Sequence, residues 1–476
     1  MSKRLKTDTF NPRKLLKQVR NSTVLRKNID CVVIVGIVAI LATISCFFIY
    51  GSRLNNPPIR SDGFSYYAYL PTVLIDHDLS FNLAKHNTYA GGKLSDYSIG
   101  KYPQTGKMLT IVPPGTAVLE VPFFIVADLY TQVTGGVRTG YSQPYQAAIV
   151  ISGIFYLCAG SLLLYLTLRR QFGKRVAFVS VLTVVFATNV FHYGTYDNSF
   201  SHVYSFAAVA ALLYMLFRVY DPKGKAQQRR SVWLVAIGAC VGLITLIRVP
   251  NVIVGLLLIP IVFKGKRTSK DYIKDILLVG IPFVVVLSPY ILYLIYSTGS
   301  LSTNPYAVFP LNPKLYPGYH LTQGKYGGFT NLNRPEFINF LFSPRKGLFF
   351  WAPVLAPAFV SLIALVKKWR GIGWAVVGVL CIQIYLCSSW WAWAFGGSFG
   401  SRPFVDTMPL LGLALAAGIA YVRRLKIIGV ITALLVFINI VYMYGYWKGY
   451  VSNDNMTLKA VIQVPHFILK DAHIVQ

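Results

Sequence analysis

The sequence predicts an all-α polytopic membrane protein, and three observations carry that prediction. Hydrophobic residues make up 55% of the 476 residues and charged residues only 13%, with a mean hydropathy of +0.53. Apolar runs of about twenty residues recur along the chain, which is the length that crosses a bilayer as a helix. Lys and Arg collect between these runs, as they do in cytoplasmic loops. The net charge of +30 is therefore attributed to membrane topology, and nucleic acid is not expected as a partner.

About eleven transmembrane helices are expected from the apolar runs. Residues 1–30 are basic, so we expect a cytoplasmic N-terminus on a multi-pass protein of the plasma or inner membrane. Every inward-facing turn is then basic, and the tail 447–476 lies outside the cell membrane. The expected crossings, within a membrane module 31–446, lie near residues 31–50, 145–168, 176–191, 201–220, 232–248, 252–263, 276–296, 347–366, 372–389, 403–422 and 427–446.

Two long segments, 51–144 and 297–346, are expected on the outer side. The second is rich in proline and aromatic residues, which predicts a folded wall rather than a linker. In the first, we expect juxtamembrane helices, with the apolar stretch Ile111–Thr131 lying in the interface because prolines break it and acids interrupt it. The interrupting residues are Pro113, Pro114, Glu120, Pro122 and Asp128.

The stretch Arg60–Phe81 gathers three carboxylates, a histidine and three tyrosines at the membrane surface. An apolar chain seldom places acids there without a use for them, so Asp62 is expected to be a catalytic base. The alternative is that Asp62 caps a helix that begins near Gly63, since Asp is a favoured N-cap residue. For Asp76 and Asp78, a solvated helix end is the simpler interpretation.

The outward turns carry further candidates, each with a structural alternative. Asp197 is either a turn former or a second acid, and His202 is either a ligand contact or a structural hydrogen-bonding group. Arg248 and Arg402 lie at membrane boundaries, where an arginine either holds an anionic partner or extends to lipid headgroups. Trp391 belongs either to the interfacial aromatic belt or to a sugar-stacking surface.

These residue types suit transfer of a sugar from a lipid phosphate. A polyprenyl-phosphate sugar leaves its tail in the bilayer and its phosphate at the interface. A carboxylate there can take the proton of an acceptor hydroxyl, and Arg or Lys can stabilise the departing phosphate. No cofactor is expected. None of the six cysteines forms a CxxC pair, and the Asp76–Asp78 triplet is a weak metal signal, so a divalent metal is possible but not favoured.

The segment Asp62-Gly-Phe-Ser-Tyr-Tyr resembles the Asp-Glu-x-x-Tyr-Tyr segment of GT-C fold glycosyltransferases, which include aminoarabinose transferase, the protein mannosyltransferases and their bacterial relatives. The resemblance implies a GT-C fold, a catalytic or acceptor-orienting Asp62 and a second acid at Asp197. It also implies a phosphate contact at Lys101 or Lys107. Gly63 departs from the pattern, since many relatives carry a second acid there.

Four further segments extend the resemblance along most of the chain. Lys101-Tyr-Pro and Pro113-Pro114-Gly115 look like the Lys/Pro-Pro segment of the first outer loop in that superfamily. Ser343-Pro-Arg-Lys-Gly, and Trp391 to Arg402 with its Gly-Gly-Ser-Phe-Gly core, look like signatures of bacterial members.

The expected function is inverting transfer of a hexose or pentose from a polyprenyl-phosphate donor to an extracytoplasmic glycan, lipid or protein. The alternative is a transporter or flippase of lipid-linked sugars, although the helix centres lack acids and no internal repeat is evident. The expected catalytic residues are Asp62 and Asp197, and the expected substrate or phosphate contacts are Arg402, Arg248, Lys101, Lys107, Arg345, Arg60, Tyr66, Tyr67, His202 and Trp391.

Overall fold

The residues that a computed structural model of the chain describes are mainly helical. The structure describes residues 28–473 except for 51–56, 87–97, 221–228, 264, 266, 302–304, 306–327, 330 and 423. Most of the basic N-terminal segment and of the second outer loop therefore lies outside the described residues. The helices are α1 Ile29–Ile44, α2 Ser61–Tyr67, α3 Tyr69–Leu74, α4 Asn82–Lys85, α5 Gly115–Val133, α6 Gln143–Phe172, α7 Lys174–Phe186, α8 Val190–Thr195, α9 Ser201–Tyr220, α10 Arg230–Ile247, α11 Ile259–Val262, α12 Ser269–Thr298, α13 Phe337–Phe342, α14 Leu348–Trp351, α15 Leu355–Val360, α16 Leu362–Lys368, α17 Arg370–Ser389, α18 Met408–Val422, α19 Leu425–Lys448 and α20 Leu458–Asp471.

A π-helical turn continues α1, and two 3₁₀ segments, Val249–Leu258 and Arg402–Thr407, precede α11 and α18. Two short antiparallel strands, β1 Ile99–Lys101 and β2 Met108–Thr110, form a hairpin between α4 and α5. Within the described residues, nine helical segments are long and apolar enough to cross a membrane. The prediction of an all-α polytopic membrane protein is confirmed.

Eight of those nine segments coincide with expected crossings, and the ninth is α5. Three expected crossings are shorter or broken in the structure. The crossing near 176–191 divides into α7 and α8, that near 252–263 is mainly 3₁₀, and that near 347–366 divides into α14, α15 and α16. Prolines lie within the last two: Pro250 and Pro260 are in the first turns of the 3₁₀ segment and of α11, Pro353 lies between α14 and α15, and Pro357 lies in α15.

Contacts at their ends indicate that these three segments still run the depth of the bundle. Lys174 begins α7 beside Asp30, and Thr195 ends α8 beside Tyr50, so α7 and α8 together run antiparallel to α6. Likewise, Arg230 reaches the carbonyl of Ile261 at the end of the 3₁₀ segment and α11. At the end of α16, Lys368 lies over the ring of Phe172, the last residue of α6.

The structure of α5 contradicts the argument that prolines and acids interrupt the stretch Ile111–Thr131. The helix is continuous through Pro122, so the expectation that this proline breaks it was wrong. Glu120 and Asp128 do not interrupt it either, because both face the protein. Tyr204 donates to Oε1 of Glu120 at 2.8 Å, and Arg138 pairs with Asp128 at 2.7 Å, so each acid has a partner within the protein.

The contacts of α5 nonetheless favour a position toward one face of the bundle. Its first turn meets the end of α10, since a Cβ at Gly115 would lie 2.3 Å from the backbone nitrogen of Ile247. Its last turns meet the start of α6, where Tyr145 donates to Asp128. Both ends of α5 therefore lie near the outer ends of neighbouring helices, and the interfacial position of Ile111–Thr131 stays a prediction.

The centre of the bundle is formed by α6, α9, α10 and α18, and close approach at glycine brings these helices together. A Cβ at Gly160 of α6 would lie 2.6 Å from the ring of Phe206 in α9. In α10, a Cβ at Gly238 would meet the carbonyl of Val279 in α12 at 2.1 Å. Small residues at such crossings are typical of membrane helix pairs. The start of α9, the end of α10 and the 3₁₀ segment Arg402–Thr407 before α18 line a large cavity.

Candidate active site

A cavity of about 700 Å³ opens among the outer ends of the helices. The segments that line it include the start of α2, the approach to α5, the start of α9, the end of α10, α12, the described part of the second outer loop, the end of α17 with the α17–α18 connection, and the segment before α20. Its charged and polar lining includes Asp62, Tyr66, His202, Arg248, Asn251, Gln383, Arg402, Asp406, Asn453 and Asp454.

Asp62 and Arg402 form an ion pair on the wall of this cavity, with Nη1 of Arg402 2.7 Å from Oδ2 of Asp62. Asp62 lies in the first turn of α2, whose N-cap position is Arg60, so the capping alternative for Asp62 does not apply. The side chain of Asp62 keeps 35% exposure, and that of Arg402 keeps 16%. A carboxylate and a guanidinium thus share one edge of the cavity.

The residue before Asp62 is strained. Ser61 has a φ of +49°, in the left-handed region that non-glycine residues seldom adopt. Such a conformation costs about 1–3 kcal/mol and persists only where the surrounding structure enforces it. The strain lets the chain turn from Arg60 into α2 with Asp62 directed at Arg402.

Close packing explains the glycine that follows Asp62. A Cβ at Gly63 would lie 1.9 Å from Oγ of Ser199 and 2.7 Å from its Cβ. Ser199 is itself held, because its hydroxyl donates to the carbonyl of Pro58 at 2.7 Å. No second acid fits at position 63, so the departure from the Asp-Glu pattern follows from the contact between α2 and the α8–α9 turn.

A second carboxylate, Asp406, lies at the cavity and was missed in the sequence. Its Oδ2 accepts from Arg248 Nη1 and from Asn251 Nδ2, both at 2.9 Å, and its Oδ1 lies 2.9 Å from His202 Nδ1. Asp406 is 1% exposed. The signal was present, since an acid four residues after Arg402 at the head of an apolar run requires a partner in a membrane protein.

Asp197 forms a separate cluster outside the described lining of the cavity. Arg60 pairs with its Oδ1 at 2.7 Å, and His192 Nε2 lies 2.8 Å from its Oδ2. Trp447 donates from Nε1 to His192 Nδ1 at 2.9 Å. An indole can only donate, so Nδ1 accepts and the proton of neutral His192 is on Nε2, directed at Asp197.

The charge states in this cluster follow from burial and pairing. Burial alone would raise the pKa of Asp197, but the charge of Arg60 and the bond from His192 hold that pKa well below its usual range. His192 is neutral, because its Nδ1 accepts from the indole of Trp447. Asp197 is therefore a paired anion with both carboxylate oxygens occupied.

The remaining predicted residues divide between the cavity and its surroundings. Tyr66 and Trp391 line the cavity, and burial raises the pKa of the Tyr66 hydroxyl. Tyr67 is buried in a neighbouring core, where its hydroxyl donates to the carbonyl of Gly140. Lys101 is exposed in β1, and the ammonium of Lys107 lies 3.6 Å from the centre of the Tyr296 ring.

Arg345 and Lys346 connect three segments around the cavity. Arg345 Nη2 lies 2.9 Å from Oδ1 of Asp454, before α20. Lys346 is buried and donates to the carbonyl of Ser398, in the α17–α18 connection. The nitrogen of Ser398 in turn donates to the carbonyl of Asn453 at 3.0 Å. The tail beyond residue 446 therefore contributes to the cavity wall.

Among the residues that the structure describes, no three His, Cys, Asp or Glu side chains come together in a group that could hold an ion. At the cavity, Asp62 and Asp406 each have an arginine partner, which occupies oxygens that a divalent cation would need.

Residues 141–293 match the family model described as dolichyl-phosphate-mannose-protein mannosyltransferase. The matched segment runs from the end of the first outer loop into α12 and contains Asp197, His202 and Arg248. The resemblance to GT-C fold glycosyltransferases, predicted from the sequence, is confirmed by this match. No curated protein matches the chain in sequence.

Solved structures of an archaeal oligosaccharyltransferase are also similar to this chain. The crystal structure of the Archaeoglobus fulgidus enzyme with zinc and sulfate has a TM-score of 0.49 and 13% identity over 90% of this chain and 54% of that chain. Its complex with an inhibitory peptide and a dolichol-phosphate has a TM-score of 0.44 and 13% identity, over 94% and 55%. The chain thus spans about half the length of these structures.

Proposed function

We propose that this protein is an integral-membrane inverting glycosyltransferase that uses a polyprenyl-phosphate sugar as donor. The observation that carries the proposal is the Asp62–Arg402 ion pair at the wall of the cavity. One partner can accept a proton, and the other can hold a phosphate. The family match over residues 141–293 supports a lipid-phosphate donor, since the family is described by dolichyl-phosphate-mannose.

The proposed reaction is a single displacement. A hydroxyl oxygen of the acceptor attacks the anomeric carbon of the donor, and a new C–O bond forms as the bond to the phosphate oxygen breaks. The leaving polyprenyl phosphate keeps the electron pair of that bond, and the hydroxyl proton moves to Asp62. General base catalysis contributes about 10²–10⁴-fold, and a guanidinium at the leaving oxygens adds electrostatic stabilisation.

Arg402 links the two halves of this reaction. Without donor, its guanidinium is bound to Asp62. A phosphate offers the same fork-shaped guanidinium a better bidentate partner, so donor binding draws Arg402 away and leaves the carboxylate ready to accept a proton. The base is thus released when the donor is in place.

The other charged groups support these two. Asp406 holds Arg248 toward the cavity, so Arg248 is proposed as a second phosphate contact. Asp197 is proposed as a positioning residue rather than a second catalytic acid, because it anchors Arg60, two residues before Asp62. The charge pattern of the loops supports an active site on the extracytoplasmic side. The paired acids of the cavity support a metal-independent reaction.

The deciding experiment compares the wild type with Asp62→Asn, both purified in nanodiscs and given radiolabelled polyprenyl-phosphate mannose, glucose, galactose or arabinose. Asp78→Asn is the matched control, since Asp78 is an acid of the same outer segment that bonds only its own turn. We expect loss of label from at least one donor, unchanged by EDTA and by Asp78→Asn, and reduced at least 100-fold by Asp62→Asn.

Full turnover by a correctly folded Asp62→Asn protein would refute the role of Asp62. For the transporter alternative, the protein is reconstituted in liposomes. Movement of intact donor across the liposome bilayer, without release of sugar, would indicate that alternative. Loss of turnover in EDTA, restored by a divalent cation, would overturn the metal-independent part of the proposal.

A further inference from the structure

Four aromatic side chains line one side of the cavity. They are Phe329, Trp390, Trp391 and Phe395, and we refer to them as the aromatic wall. Phe395 stacks on Trp390 with an interplanar angle of 9° and a centroid distance of 6.2 Å. Phe329 meets the same indole edge-on at 5.2 Å. Trp391 is fixed through its backbone, which donates to the carbonyl of Gly328.

The backbone is strained where it builds this wall. Phe395 has a φ of +56°, a left-handed conformation that is rare for an aromatic residue, and Gly396 follows at +64°. This strain brings the Phe395 ring onto Trp390. An interfacial tryptophan that only anchors the protein to lipid headgroups needs no such conformation. Strain of this kind is concentrated at ligand sites, where the surrounding structure enforces it.

Hydrogen-bonding groups border the aromatic wall. Asn453 and Asp454 line the cavity from the segment before α20. The carbonyl of Asn453 is held by the Ser398 nitrogen, and Asp454 is held by Arg345, whose guanidinium also lies over the Trp393 ring. The carboxylate of Asp454 is paired with Arg345, but its oxygens keep further lone pairs. These lone pairs can accept hydrogen bonds from hydroxyl groups in the cavity.

We propose that the aromatic wall together with Asn453 and Asp454 is a sugar-binding subsite. A pyranose ring has an apolar face of C–H groups, which stacks on an aromatic ring, and a rim of hydroxyls, which bonds to amide and carboxylate oxygens. A lipid tail would not use the polar border, and an extended peptide would need a row of backbone partners. The proposal rests on the proposed glycosyltransferase function, and the sugar is that of the donor or that of a glycan acceptor.

The test measures sugar binding and donor cleavage separately. Methyl glycosides of glucose, galactose, mannose and N-acetylglucosamine are offered to protein in nanodiscs free of glycoside detergent, and saturation transfer to the ring protons is recorded by NMR. Donor cleavage is followed with the radiolabelled polyprenyl-phosphate sugars. The variants are Trp391→Ala, Trp391→Phe and Asp454→Asn.

Matched controls exist for both residue types. Trp374 is 59% exposed on α17, and Asp471 pairs with Lys448 at the end of α20. We expect Trp391→Ala and Asp454→Asn to reduce saturation transfer at least fivefold, whereas Trp391→Phe, Trp374→Ala and Asp471→Asn retain it. Asp62→Asn should still bind the glycosides, so failure of the catalytic proposal would be visible separately.

The two sources of the sugar give different results. If the variants lose glycoside binding but cleave donor with an unchanged KM, the subsite takes the acceptor sugar. If the KM for donor rises at least fivefold, the subsite takes the donor sugar. If both glycoside binding and donor KM match the wild type in Trp391→Ala and Asp454→Asn, the subsite does not exist.

Discussion

The three acids Asp62, Asp197 and Asp406 differ in what their neighbours allow them to do. Asp197 and Asp406 are almost fully buried, with their oxygens shared among an arginine and a histidine each. Asp62 is partly open to the cavity and has one arginine that a phosphate can compete for. Only the open acid has room for an incoming hydroxyl, so Asp62 is the acid proposed for the chemistry, whereas Asp197 and Asp406 hold arginines in place.

The shape of Arg402 gives a prediction that tests its link to Asp62. Arg402→Lys keeps the charge but loses the fork that can hold two oxygens at once. We expect kcat/KM for the donor to fall about 10- to 100-fold. Initial rates with the best donor provide the measurement, and Arg370→Lys, exposed at the start of α17, is the control. Wild-type kinetics in Arg402→Lys would contradict a bidentate phosphate contact.

Lys346 gives a prediction about pH. Burial lowers its pKa from 10.5 to about 7, so the unfolded chain binds more protons than the folded protein between those values. Stability therefore rises with pH across this window, and the penalty of burying the charged form is present below about pH 7. We expect the Tm of the wild type to rise between pH 7 and 9 relative to Lys346→Met.

Thermal unfolding in nanodiscs measures that difference, at about 2–4 °C for each kcal/mol. Lys367→Met, at the end of α16, is the control, because Lys367 is not buried. Parallel pH profiles for all three proteins would contradict a neutral Lys346.

Sequence reasoning identified single residues where chemistry and position agreed. Asp62, Arg248 and Arg402 were predicted because a charge at a membrane boundary is conspicuous, and all three line the cavity. Asp406 was missed because it begins an apolar run and was counted with the helix. The pairing of Asp197 with Arg60 joins residues 137 positions apart, and no local pattern reveals such a contact.

At the scale of elements, the position of Asp62 depends on how α2 docks against the α8–α9 turn. Gly63→Ala forces a methyl group into Ser199, where atoms would approach to 1.9 Å. Overpacking of this kind costs about 1–3 kcal/mol, and here it displaces the helix that carries the base. We expect a lower Tm and at least a tenfold lower kcat.

The matched control is Gly280→Ala in α12, where a Cβ meets nothing within 4 Å. The double variant Gly63→Ala, Ser199→Gly should recover part of the activity, because it removes the side chain that is struck. If activity is unchanged in Gly63→Ala, α2 tolerates displacement and the packing argument fails.

Helix boundaries were predictable where hydropathy alone decides them, as for α9, whose bounds Ser201–Tyr220 match the expected run. Helix boundaries were not predictable where the backbone hydrogen bonds around a proline determine whether a helix continues or ends. Pro122 lies inside α5 without ending it, whereas Pro353 and Pro357 accompany a crossing that divides into short helices. The difference depends on neighbouring helices, which sequence spacing does not show.

The position of α5 can be tested by chemical labelling in a cysteine-free background. Thr134→Cys, just after α5, should react with a membrane-impermeant maleimide from the same side as Lys107→Cys, before α5. Lys367→Cys, in an expected cytoplasmic turn, should react only after permeabilisation. Labelling of Thr134→Cys and Lys107→Cys from opposite sides would make α5 a crossing.

For the whole molecule, the two ends of the described chain lie at opposite ends of the bundle. Asp30, in the first turn of α1, pairs with Arg169 at 2.9 Å, at the end of α6 away from the cavity. Asn453 and Asp454, before α20, line the cavity itself. An odd number of crossings must therefore separate the ends, which agrees with eleven crossings only if α5 is not counted among them.

This arrangement predicts where reporters fused to the ends will function. A fluorescent protein that folds only in the cytoplasm should be bright at the N-terminus and dark after residue 476, and alkaline phosphatase should give the reverse. The expectation follows from the basic N-terminal segment and the odd number of crossings. Equal reporter signals at both ends would contradict it.

In the proposed reaction, the shared arginine of the Asp62–Arg402 pair also implies a reset at the end of each catalytic cycle. After transfer, Asp62 carries the proton of the acceptor and no longer attracts the guanidinium, which stays with the spent lipid phosphate. When that proton passes to water, the regained negative charge competes for Arg402 and weakens its hold on the product. Loss of the proton and departure of the carrier lipid are thereby coupled, and the resting ion pair is restored without any conformational change elsewhere in the bundle.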